Sequence, residues 1–516
     1  MINLTEHGKD QSAIIHDGVV WTYGELHRRS VRVAKNLTDL DLEPGDRIAT
    51  LLPNCHELVV LYLAAHHGGF TIVPLDARYN EAQINFALRH TRASVLVTHT
   101  GQIDEVTECD ALREVSHVYV VGAESHEDYT PFHRLVTTRA TAELSEDVTG
   151  NDVSIVFYTS GTTARPHGVT LTRDAVANGV SKCNAVMRLR PDDVVLIAAP
   201  ISRSMALRTQ LLPSLAAGAT VVLTTRFDPD LYVHTLRNHP DTTFISLLPS
   251  AMRRIVFHDD LKQDDLGSVR LAICGGDHVP VDVFEKFNEL TGLELTQQCG
   301  MTETGMYAAN PPYGRKKRCS IGLPYYGVQI SIVDNKGNDL PWGEAGEIAV
   351  RSPFAMDGYW NETAATRRVM RDGWIRTGDI GRIDDDGFLW LDGRKKDIII
   401  RGGSNISPAA IESILQHHRA VKEACVVGVD DPEMGQAVCA FVTLRDNTSI
   451  DRLEDELRAL AEKELPEYMV PESICALPKM PRTGSGKVDR QRLKWIAESS
   501  DDETLAVLLD WPRKGH

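Results

Sequence analysis

The chain has 516 residues, of which 42% are hydrophobic and 25% are charged, and its formal net charge is −17. This length exceeds what one compact core usually supports, so we expect more than one domain. The acidic balance disfavours nucleic acid and anionic membranes as partners, because their phosphates demand a basic surface. An acidic protein still binds a nucleotide where local amides and a few cations surround it.

Nine cysteines are scattered along the chain without a CxxC pair. This pattern argues against a disulfide framework or a zinc site and favours a reducing compartment. The first residues, "MINLTEHGKDQS", contain no apolar signal core, and no run of 18 apolar residues occurs. We therefore predict a cytoplasmic protein that does not contact membranes.

The first three hundred residues alternate helical stretches with short apolar runs. Tyr23, Leu26, Ser30, Val33 and Leu37 share one face of a predicted helix. Apolar runs typical of buried strands occur in "RIATLL", "FTIVPLD", "VVLIAAP", "ATVVL", "TTFISLLP" and "VRLAICGG". Continuous apolar strands separated by helices predict an α/β fold with a parallel sheet covered on both faces.

Beyond about residue 325 the pattern changes to short strands joined by Gly and Asp turns, which predicts a β-rich subdomain over about 325–395. Further on, Ser407-Pro408 predicts a helix start, followed by two strands, a helix and a strand of a small α+β domain. We predict an N-terminal domain over 1–395, a C-terminal domain over 396–497 and a tail over 498–516.

The stretch "YTSGTTARPHGVTL" predicts a strand and then a loop that leads to a helix. It is not a Walker A motif, because GxxxxGK[ST] is absent. A glycine and neighbouring hydroxyls nevertheless suit a loop that holds phosphate with backbone N–H and side-chain donors. Those residues are Thr159, Ser160, Gly161, Thr162 and Thr163. The alternative is a flexible linker.

Four other motifs carry charged residues in Gly-rich or turn contexts. Glu303 in "QQCGMTETG" suits a Mg²⁺ ligand, and Asp379 in "RTGD" suits an acceptor for both ribose hydroxyls. Arg394 in "GRKKD" suits ribose or phosphate, and Lys487 lies in the Gly/Ser loop "PRTGSGKVDR". Taken singly, each also fits a solvated glutamate, a capping aspartate, a charged hairpin tip and a surface lysine.

Together and in this order, the five motifs resemble the acyl-adenylate-forming superfamily, which includes acyl-CoA synthetases, peptide-synthetase adenylation domains and luciferases. The resemblance covers about residues 12–495. It implies a large N-terminal domain, a small mobile C-terminal domain and an active site between them. It also implies that a carboxylic acid and ATP form an acyl-AMP with release of pyrophosphate, and that a nucleophile then takes the acyl group.

The same resemblance implies roles for individual residues. It places the chemistry on Lys487, Thr302 and Glu303, with Mg²⁺ at Glu303 and the pivot of the mobile domain at Lys396. ATP or AMP contacts are implied for Thr159, Ser160, Gly161, Thr162, Thr163, His167, Gly275, Gly276, Asp277, Cys299, Gly300, Met301, Asp379 and Arg394. The acyl or acceptor pocket is implied for Arg203, Met205, Ala206, Leu248 and Met306, and the acceptor entry for Gly402 and Gly403.

Three positions depart from the family pattern. His167 replaces a lysine that contacts the leaving phosphates, and we predict weaker ATP binding than in a His167→Lys variant. Cys299 replaces an aromatic residue that stacks on adenine, and it suits a small apolar filler better than a nucleophile. Arg203 replaces a histidine or aromatic residue, and it suits either a bidentate carboxylate ligand or a partner of a neighbouring acid.

The acceptor is the least determined part of the predicted reaction. CoA is the commonest acceptor among single-chain family members of this length, and it ranks first. An amine or amino acid is the alternative, since Arg203 suits an amino-acid carboxylate, and a carrier protein is a third acceptor. A non-catalytic AMP-binding protein is the alternative from another class, favoured by the changes at 167 and 299.

Overall fold

The computed structural model describes residues 3–145, 147–159, 166–276, 279–402, 404–445, 453–483 and 487–498. Two compact units make up the chain. The first comprises residues 1–330 and 349–377, and the second comprises residues 331–348 and 378–516.

The strands of the described residues are numbered in chain order. They are β1 (Ser12–His16), β2 (Val19–Thr22), β3 (Arg47–Leu51), β4 (Thr71–Leu75), β5 (Val95–His99), β6 (His117–Val121), β7 (Thr130–Pro131), β8 (Val153–Thr159), β9 (His167–Thr172), β10 (Val194–Ile197), β11 (Thr220–Leu223), β12 (Phe244–Leu247), β13 (Leu271–Gly275), β14 (Thr296–Met301), β15 (Gly305–Ala309), β16 (Leu323–Pro324), β17 (Gln329–Val333), β18 (Gly346–Arg351), β19 (Gly358–Tyr359), β20 (Met370–Arg371), β21 (Trp374–Ile383), β22 (Leu389–Arg394), β23 (Ile399–Arg401), β24 (Ser404–Ile406), β25 (Val421–Asp431), β26 (Gly435–Leu444) and β27 (Ser473–Leu477).

The helices are numbered in the same way. They are α1 (Tyr23–Thr38), α2 (His56–Gly68), α3 (Glu81–Thr91), α4 (Ile103–Thr107), α5 (His133–Thr137), α6 (Arg173–Met187), α7 (Ser204–Ala206), α8 (Leu212–Ala217), α9 (Pro229–Asn238), α10 (Pro249–Val256), α11 (Val281–Thr291), α12 (Thr363–Val369), α13 (Pro408–Gln416), α14 (Leu453–Glu464) and α15 (Arg490–Glu498). A π-helical turn, Leu207–Leu211, joins α7 to α8.

Two large sheets form the framework of the first unit. The nine-stranded sheet has the order β16-β15-β14-β13-β12-β10-β11-β1-β2, and the eight-stranded sheet has the order β19-β9-β8-β4-β3-β5-β6-β7. Their inner strands are parallel, and antiparallel pairs close the edges, as between β14 and β15 and between β8 and β9. The predicted α/β fold with a largely parallel sheet is confirmed.

Local sequence explains how these elements form. Helix α1 begins with a capping box between Thr22 and Glu25, and its predicted face, which includes Tyr23 and Leu26, is buried. Strands such as β4 and β13 are buried along their whole length, as expected for parallel strands covered on both faces. Ligands of α/β sheets commonly bind at the carboxyl ends of such strands.

The prediction for the loop after β8 is wrong in one respect. Residues from His167 onward, which the sequence suggested were part of a long loop before a helix, form strand β9. This strand pairs antiparallel with β8, with Thr159 opposite His167, and α6 begins only at Arg173. The run Val169-Thr170-Leu171 is buried and contains β-branched residues, which favour a strand. The turn-forming residues before it led to the prediction of a loop instead.

The second unit is built from smaller sheets. Strands β17, β18 and β21 lie side by side, and β22 pairs with β21. Strands β25 and β26 form a long antiparallel pair, with β27 parallel to β26. Residues of β25, β26, α13 and α14 supply its main apolar core.

Candidate active site

The tight turn between β14 and β15 carries Glu303. The side chain is buried, with Glu303 only 8% exposed. Its Oε1 accepts a hydrogen bond of 3.1 Å from the Tyr359 hydroxyl. Its backbone carbonyl accepts a bond of 2.7 Å from the Met356 N–H. The segment that leads to Tyr359 therefore holds this turn from both its backbone and its side chain.

His167, the first residue of β9, lies against the same segment. Its Nδ1 is 2.8 Å from Glu362 Oε2, and its ring stacks on Tyr359 with centroids 4.7 Å apart. The structure thus places the His167 ring against the ring of Tyr359 and the Glu303 carboxylate against the hydroxyl of the same tyrosine. These two residues come from separate motifs of the sequence, and their convergence supports a shared site.

Tyr359 and Glu362 were not among the residues predicted from the sequence. They lie 56 and 195 positions from their hydrogen-bond partners, so no local pattern links them. Burial and the bond to Glu303 raise the pKa of the Tyr359 hydroxyl above its usual range, which keeps it a donor. The pairing of β19 with β9 is what brings this segment into place.

Several predicted ATP contacts flank this cluster. Thr159 ends β8 in register with His167. Gly300 and Met301 end β14, and Gly275 ends β13 beside it. The remaining predicted contacts of the loop, the adenine side and the acceptor entry lie outside the described residues. They are Ser160, Gly161, Thr162, Thr163, Asp277 and Gly403.

Arg208 in the π-helical turn is a buried cation beside the Glu303 turn. Its Nη1 donates to the Thr302 carbonyl at 3.1 Å and lies 3.4 Å from Ser204 Oγ, and its Nη2 donates to the Phe354 carbonyl at 2.5 Å. Burial lowers the pKa of the guanidinium to about 10, so it stays charged at neutral pH.

No carboxylate among the described residues forms an ion pair with Arg208, so its charge is balanced by carbonyl dipoles alone. Gly305 makes room for it, since a Cβ there would lie 2.9 Å from Nη2 at a φ of +70°. Sequence reasoning missed Arg208, although a charge inside "MALRTQLLPSL" was a signal. π-Helical turns are frequent at functional sites.

The residues predicted for the acyl pocket surround the carboxyl ends of β10, β12 and β13. A Cβ on Gly276 would lie 3.0 Å from Leu248 Cδ2 and 3.9 Å from Met205 Sδ, so these three residues adjoin. A Cβ on Gly300 would lie 2.6 Å from Met306 Cε. Ala206 is buried at the end of α7. Leu248 and Met205 therefore lie together beside Gly276, whereas Met306 lies beside Gly300.

Arg203 is paired with a neighbouring acid. Its Nε is 2.7 Å from Asp76 Oδ2, and Arg78 donates to both oxygens of the same carboxylate at 2.8 Å. Although burial opposes it, the bonds from Arg78 and Arg203 hold the pKa of Asp76 well below its usual range. Arg78 and Arg203 share the single carboxylate of Asp76, so the three side chains keep one excess positive charge. The side chain of Arg203 remains 40% exposed.

Cys299 lies on β14 and donates from Sγ to the Tyr307 hydroxyl at 3.0 Å. Tyr307 is itself buried. A cysteine held in this way fits the predicted role of a small wall residue.

In the second unit, Asp379 and Arg394 meet on paired strands. They are directly opposite in the register of β21 and β22, and Arg394 Nε is 2.7 Å from Asp379 Oδ1. Asp379 is buried and Arg394 is partly exposed. Lys396 is exposed in the turn that follows β22. The structure therefore brings together Asp379, which the sequence assigned to the ribose, and Arg394, which it assigned to ribose or phosphate.

Lys487 is exposed, and its carbonyl accepts a 2.8 Å bond from the Thr483 N–H. Within the described residues its ammonium forms no ion pair. Gly402 is exposed at a φ of +54°, and its N–H donates to the Met434 carbonyl at 2.8 Å. Both residues are thus exposed and bonded through their backbones to a nearby residue of the same unit.

Glu303 fits a Mg²⁺ ion that binds together with phosphates. No group of three or more His, Cys, Asp or Glu side chains suited to a metal occurs among the residues that the structure describes. Mg²⁺ usually needs only one or two carboxylates when substrate phosphates and waters supply the other oxygens. A single buried carboxylate in a turn beside the phosphate-loop strands meets that requirement.

Known proteins resemble this chain over most of its length. The AMP-binding enzyme family matches residues 3–360, and the AMP-binding enzyme C-terminal domain matches residues 410–487. The chain belongs to the AMP-binding enzyme family. A feruloyl-CoA synthase from Amycolatopsis is 34% identical over 479 residues, which cover 92% of this chain and 94% of that protein.

Two solved structures extend the comparison to the fold. ATP-bound MatB from Rhodopseudomonas palustris superimposes with a TM-score of 0.89 at 28% identity, covering 96% of this chain and 98% of that one. The amide bond synthetase McbA from Marinactinospora thermotolerans has a TM-score of 0.86 at 28% identity with the same coverage. The predicted fold class and family are confirmed.

This AMP-binding enzyme is an ATP-dependent, acyl-adenylate-forming ligase, as the sequence predicted. The described part of the chain contains no helix with the length and apolarity needed to cross a bilayer.

Proposed function

We propose that this enzyme activates a small, largely apolar carboxylic acid with ATP and transfers the acyl group to the thiol of CoA. The observation that carries the proposal is the convergence of His167 and Glu303 on Tyr359. It joins the end of the phosphate-loop motif to a buried carboxylate, which is the arrangement that ATP and Mg²⁺ require.

In the first step, a carboxylate oxygen of the acid attacks the α-phosphorus of ATP. The bond to the bridging oxygen breaks, and its electron pair leaves with pyrophosphate. Negative charge accumulates on the phosphate oxygens, so positioned cations and donors lower the barrier. Glu303 would hold a Mg²⁺ ion, which would supply such charge when bound. Asp379 and Arg394 would bind the ribose, and Lys487 would contact the attacking carboxylate and the α-phosphate.

In the second step, the CoA thiolate attacks the acyl carbonyl, and AMP leaves. We propose that the C-terminal domain, beginning at residue 396, pivots at Lys396 between the two steps. This rotation exchanges Lys487 for the segment around Gly402 and Gly403. The exposed positions of Lys487 and Gly402 support such an exchange.

CoA is the favoured acceptor because relatives that match almost the whole chain are CoA ligases, among them the feruloyl-CoA synthase. Transfer to an amine is the second candidate. It is supported by the similarity to an amide bond synthetase and by the excess positive charge of Arg203, Asp76 and Arg78, which suits an acceptor carboxylate.

An acid panel in the ATP–pyrophosphate exchange assay tests the first step. We expect exchange with at least one aromatic or aliphatic monocarboxylic acid, and its loss in Glu303→Gln. The exposed Glu344→Gln is the matched control. Absence of exchange with every acid would favour a non-catalytic AMP-binding protein.

The acceptor is tested by repeating the reaction with CoA and then with amines and amino acids, with products identified by mass. We expect an acyl-CoA. If an amide forms when CoA and the amine are present at equal concentration, the acceptor is the amine and not CoA. Turnover only after addition of a carrier protein would point to that third acceptor.

We also place the enzyme in the cytoplasm. The nine cysteines form no disulfide among the residues that the structure describes, which supports a reducing compartment.

A further inference from the structure

A buried carboxylate lies on the strand next to the one that carries Asp379. Glu347 is the second residue of β18, which neighbours β21 in the sheet of the second unit. Residues 347–350 are all buried, and a carboxylate among them needs hydrogen-bond donors to offset the hydration that it has lost. The donors of Glu347 therefore indicate what it holds in place.

Both carboxylate oxygens of Glu347 are bonded to the backbone bend before Asp379. Oε1 accepts a 3.2 Å hydrogen bond from the Gly378 N–H, and Oε2 accepts a 3.1 Å bond from Nζ of Lys395. The backbone N–H of the same lysine donates to the Gly378 carbonyl at 2.8 Å. Glu347 and Lys395 thus hold both peptide groups that flank Gly378, which we call the Gly378 bend.

The conformation of Gly378 depends on this support. Its φ is +72°, in the left-handed region that favours glycine. Glycine permits this conformation without enforcing it, because glycine populates other regions about as readily. The carbonyl bonded by Lys395 belongs to the peptide group that joins Gly378 to Asp379. The bonds to the bend therefore also set the direction in which the chain enters Asp379.

Asp379 needs such a fixed direction for its expected task. It is buried opposite Arg394, whose Nε is 2.7 Å from its Oδ1. In the proposed function, on which this inference rests, the Asp379 carboxylate accepts hydrogen bonds from both ribose hydroxyls. Hydrogen bonds weaken steeply when donor and acceptor are misaligned, so one carboxylate serves two neighbouring hydroxyls only in a narrow range of orientations.

We propose that Glu347 is a positioning residue that fixes the Gly378 bend and thereby gives the enzyme its preference for ribonucleotides over deoxyribonucleotides. Glu347 acts through the backbone of Gly378 and does not itself contact the nucleotide. Lys395 balances the charge of Glu347 with an ammonium that is partly exposed. A hydrogen bond from a backbone N–H to an ionised carboxylate is stronger than one between neutral groups, which suits this supporting role.

The binding of MgATP and of the magnesium complex of 2′-deoxyATP tests the proposal. We expect the wild type to bind ATP about ten- to a hundredfold more tightly, because 2′-deoxyATP lacks one hydrogen bond to a carboxylate. In Glu347→Met this preference should fall to about threefold or less, with most of the change in the Kd for ATP. A residue that only stabilises the fold would weaken both nucleotides alike and leave their ratio unchanged.

Glu347→Gln is a milder variant that keeps the shape of the side chain. Its amide oxygen still accepts from the Gly378 N–H, so we expect an intermediate preference. Asp384→Asn is the matched control at the other end of the ladder between β21 and β22. Asp384 accepts bonds from the Phe388 N–H at 3.0 Å and from Nε1 of Trp390 at 2.8 Å. This control should lower stability in urea unfolding without changing the preference for ATP.

Asp379→Ala separates this inference from the proposed function. If Asp379→Ala loses the preference while both Glu347 variants keep that of the wild type, the role of Glu347 is overturned and the ribose contact stands. If Asp379→Ala itself keeps the preference of the wild type, the ribose contact of the proposed function is refuted, and the role of Glu347 falls with it. Loss of the preference in Asp379→Ala and Glu347→Met, but not in Asp384→Asn, supports both.

Discussion

Glu303 and Lys487 are both expected to act on the phosphates of ATP, yet their surroundings differ. Glu303 is buried, bonded to Tyr359, and lies in a turn held by Met356 and, through Thr302, by Arg208. Lys487 is exposed and, among the described residues, its ammonium is in no ion pair. The first site is preorganised before substrate binds, whereas the second obtains its partners from the substrate.

Replacing Lys487 should give the largest effect. Lys487→Ala is expected to lower acid-dependent ATP–pyrophosphate exchange by about a thousandfold or more, because a positioned cation at the α-phosphate is lost. Transfer of the acyl group from supplied acyl-AMP to CoA should stay within a few-fold of the wild type.

Lys479→Ala is the matched control, since Lys479 is also exposed and lies in the same unit. It should leave both half-reactions unchanged. Equal damage to the two half-reactions in Lys487→Ala would contradict the comparison, because it would show that Lys487 supports the fold of its unit or serves both steps.

Arg208→Met should give the next largest effect. It leaves the carbonyls of Thr302 and Phe354 without their donor and loosens the Glu303 turn. We expect exchange to fall about ten- to a hundredfold, with a smaller loss of stability of about 1–3 kcal/mol from the unsatisfied acceptors. The measurements are exchange kinetics and urea unfolding.

Arg270→Met is the control for Arg208. Arg270 is a part-buried arginine at the amino end of β13, paired with the buried Asp193. Because that change breaks an ion pair away from the strand ends that carry the site, it should reduce stability with little effect on exchange. If both variants lose activity only in proportion to stability, Arg208 has no specific role at the Glu303 turn.

The sequence predicted the charged residues of the site better than the groups that hold them. Glu303, Asp379 and Lys487 stand in short Gly- and Thr-rich motifs, which point to phosphate or ribose chemistry only when they are read together and in order. Tyr359 and Glu362 carry no such signal, because their role arises from the pairing of β19 with β9. The sequence predicted that Arg203 could pair with a neighbouring acid. It did not identify that acid as Asp76, since 127 residues separate the two.

The fold, like the site, was predictable from the sequence only where local patterns determine it. Buried parallel strands and the α1 face are set directly by apolar periodicity, which is a local property. The sequence did not predict strand β9. This strand is defined by its pairing with β8, which lies on the other side of a turn-rich segment of the sequence, so no local pattern indicates it. The π-helical turn at Leu207–Leu211 also has no periodic signature in so short a run.

The histidines at the end of α2 differ from both Glu303 and Lys487, because they are half-buried and their pKa values are lowered. His66 and His67 end helix α2, and Nη2 of Arg173 donates to the His66 carbonyl at 2.9 Å. Burial, reinforced by nearby positive charge, lowers the pKa of His66 to about 3 and that of His67 to about 4. His67 Nε2 is buried without a partner among the described residues.

These histidines should make the enzyme sensitive to acid through stability. In the unfolded chain their pKa returns to about 6.5, so below that pH the unfolded state binds more protons than the folded state. Stability is therefore complete above about pH 6.5 and is lost progressively as pH falls toward 4. We expect the free energy of unfolding to drop by about 3–4 kcal/mol between pH 7 and pH 5, and His67→Gln to remove roughly half of that drop. His133→Gln, at an exposed position, should leave the drop unchanged, and urea unfolding at the two pH values measures all three proteins. An equal drop in His67→Gln and wild type would mean that other groups, and not this buried pair, set the acid limit.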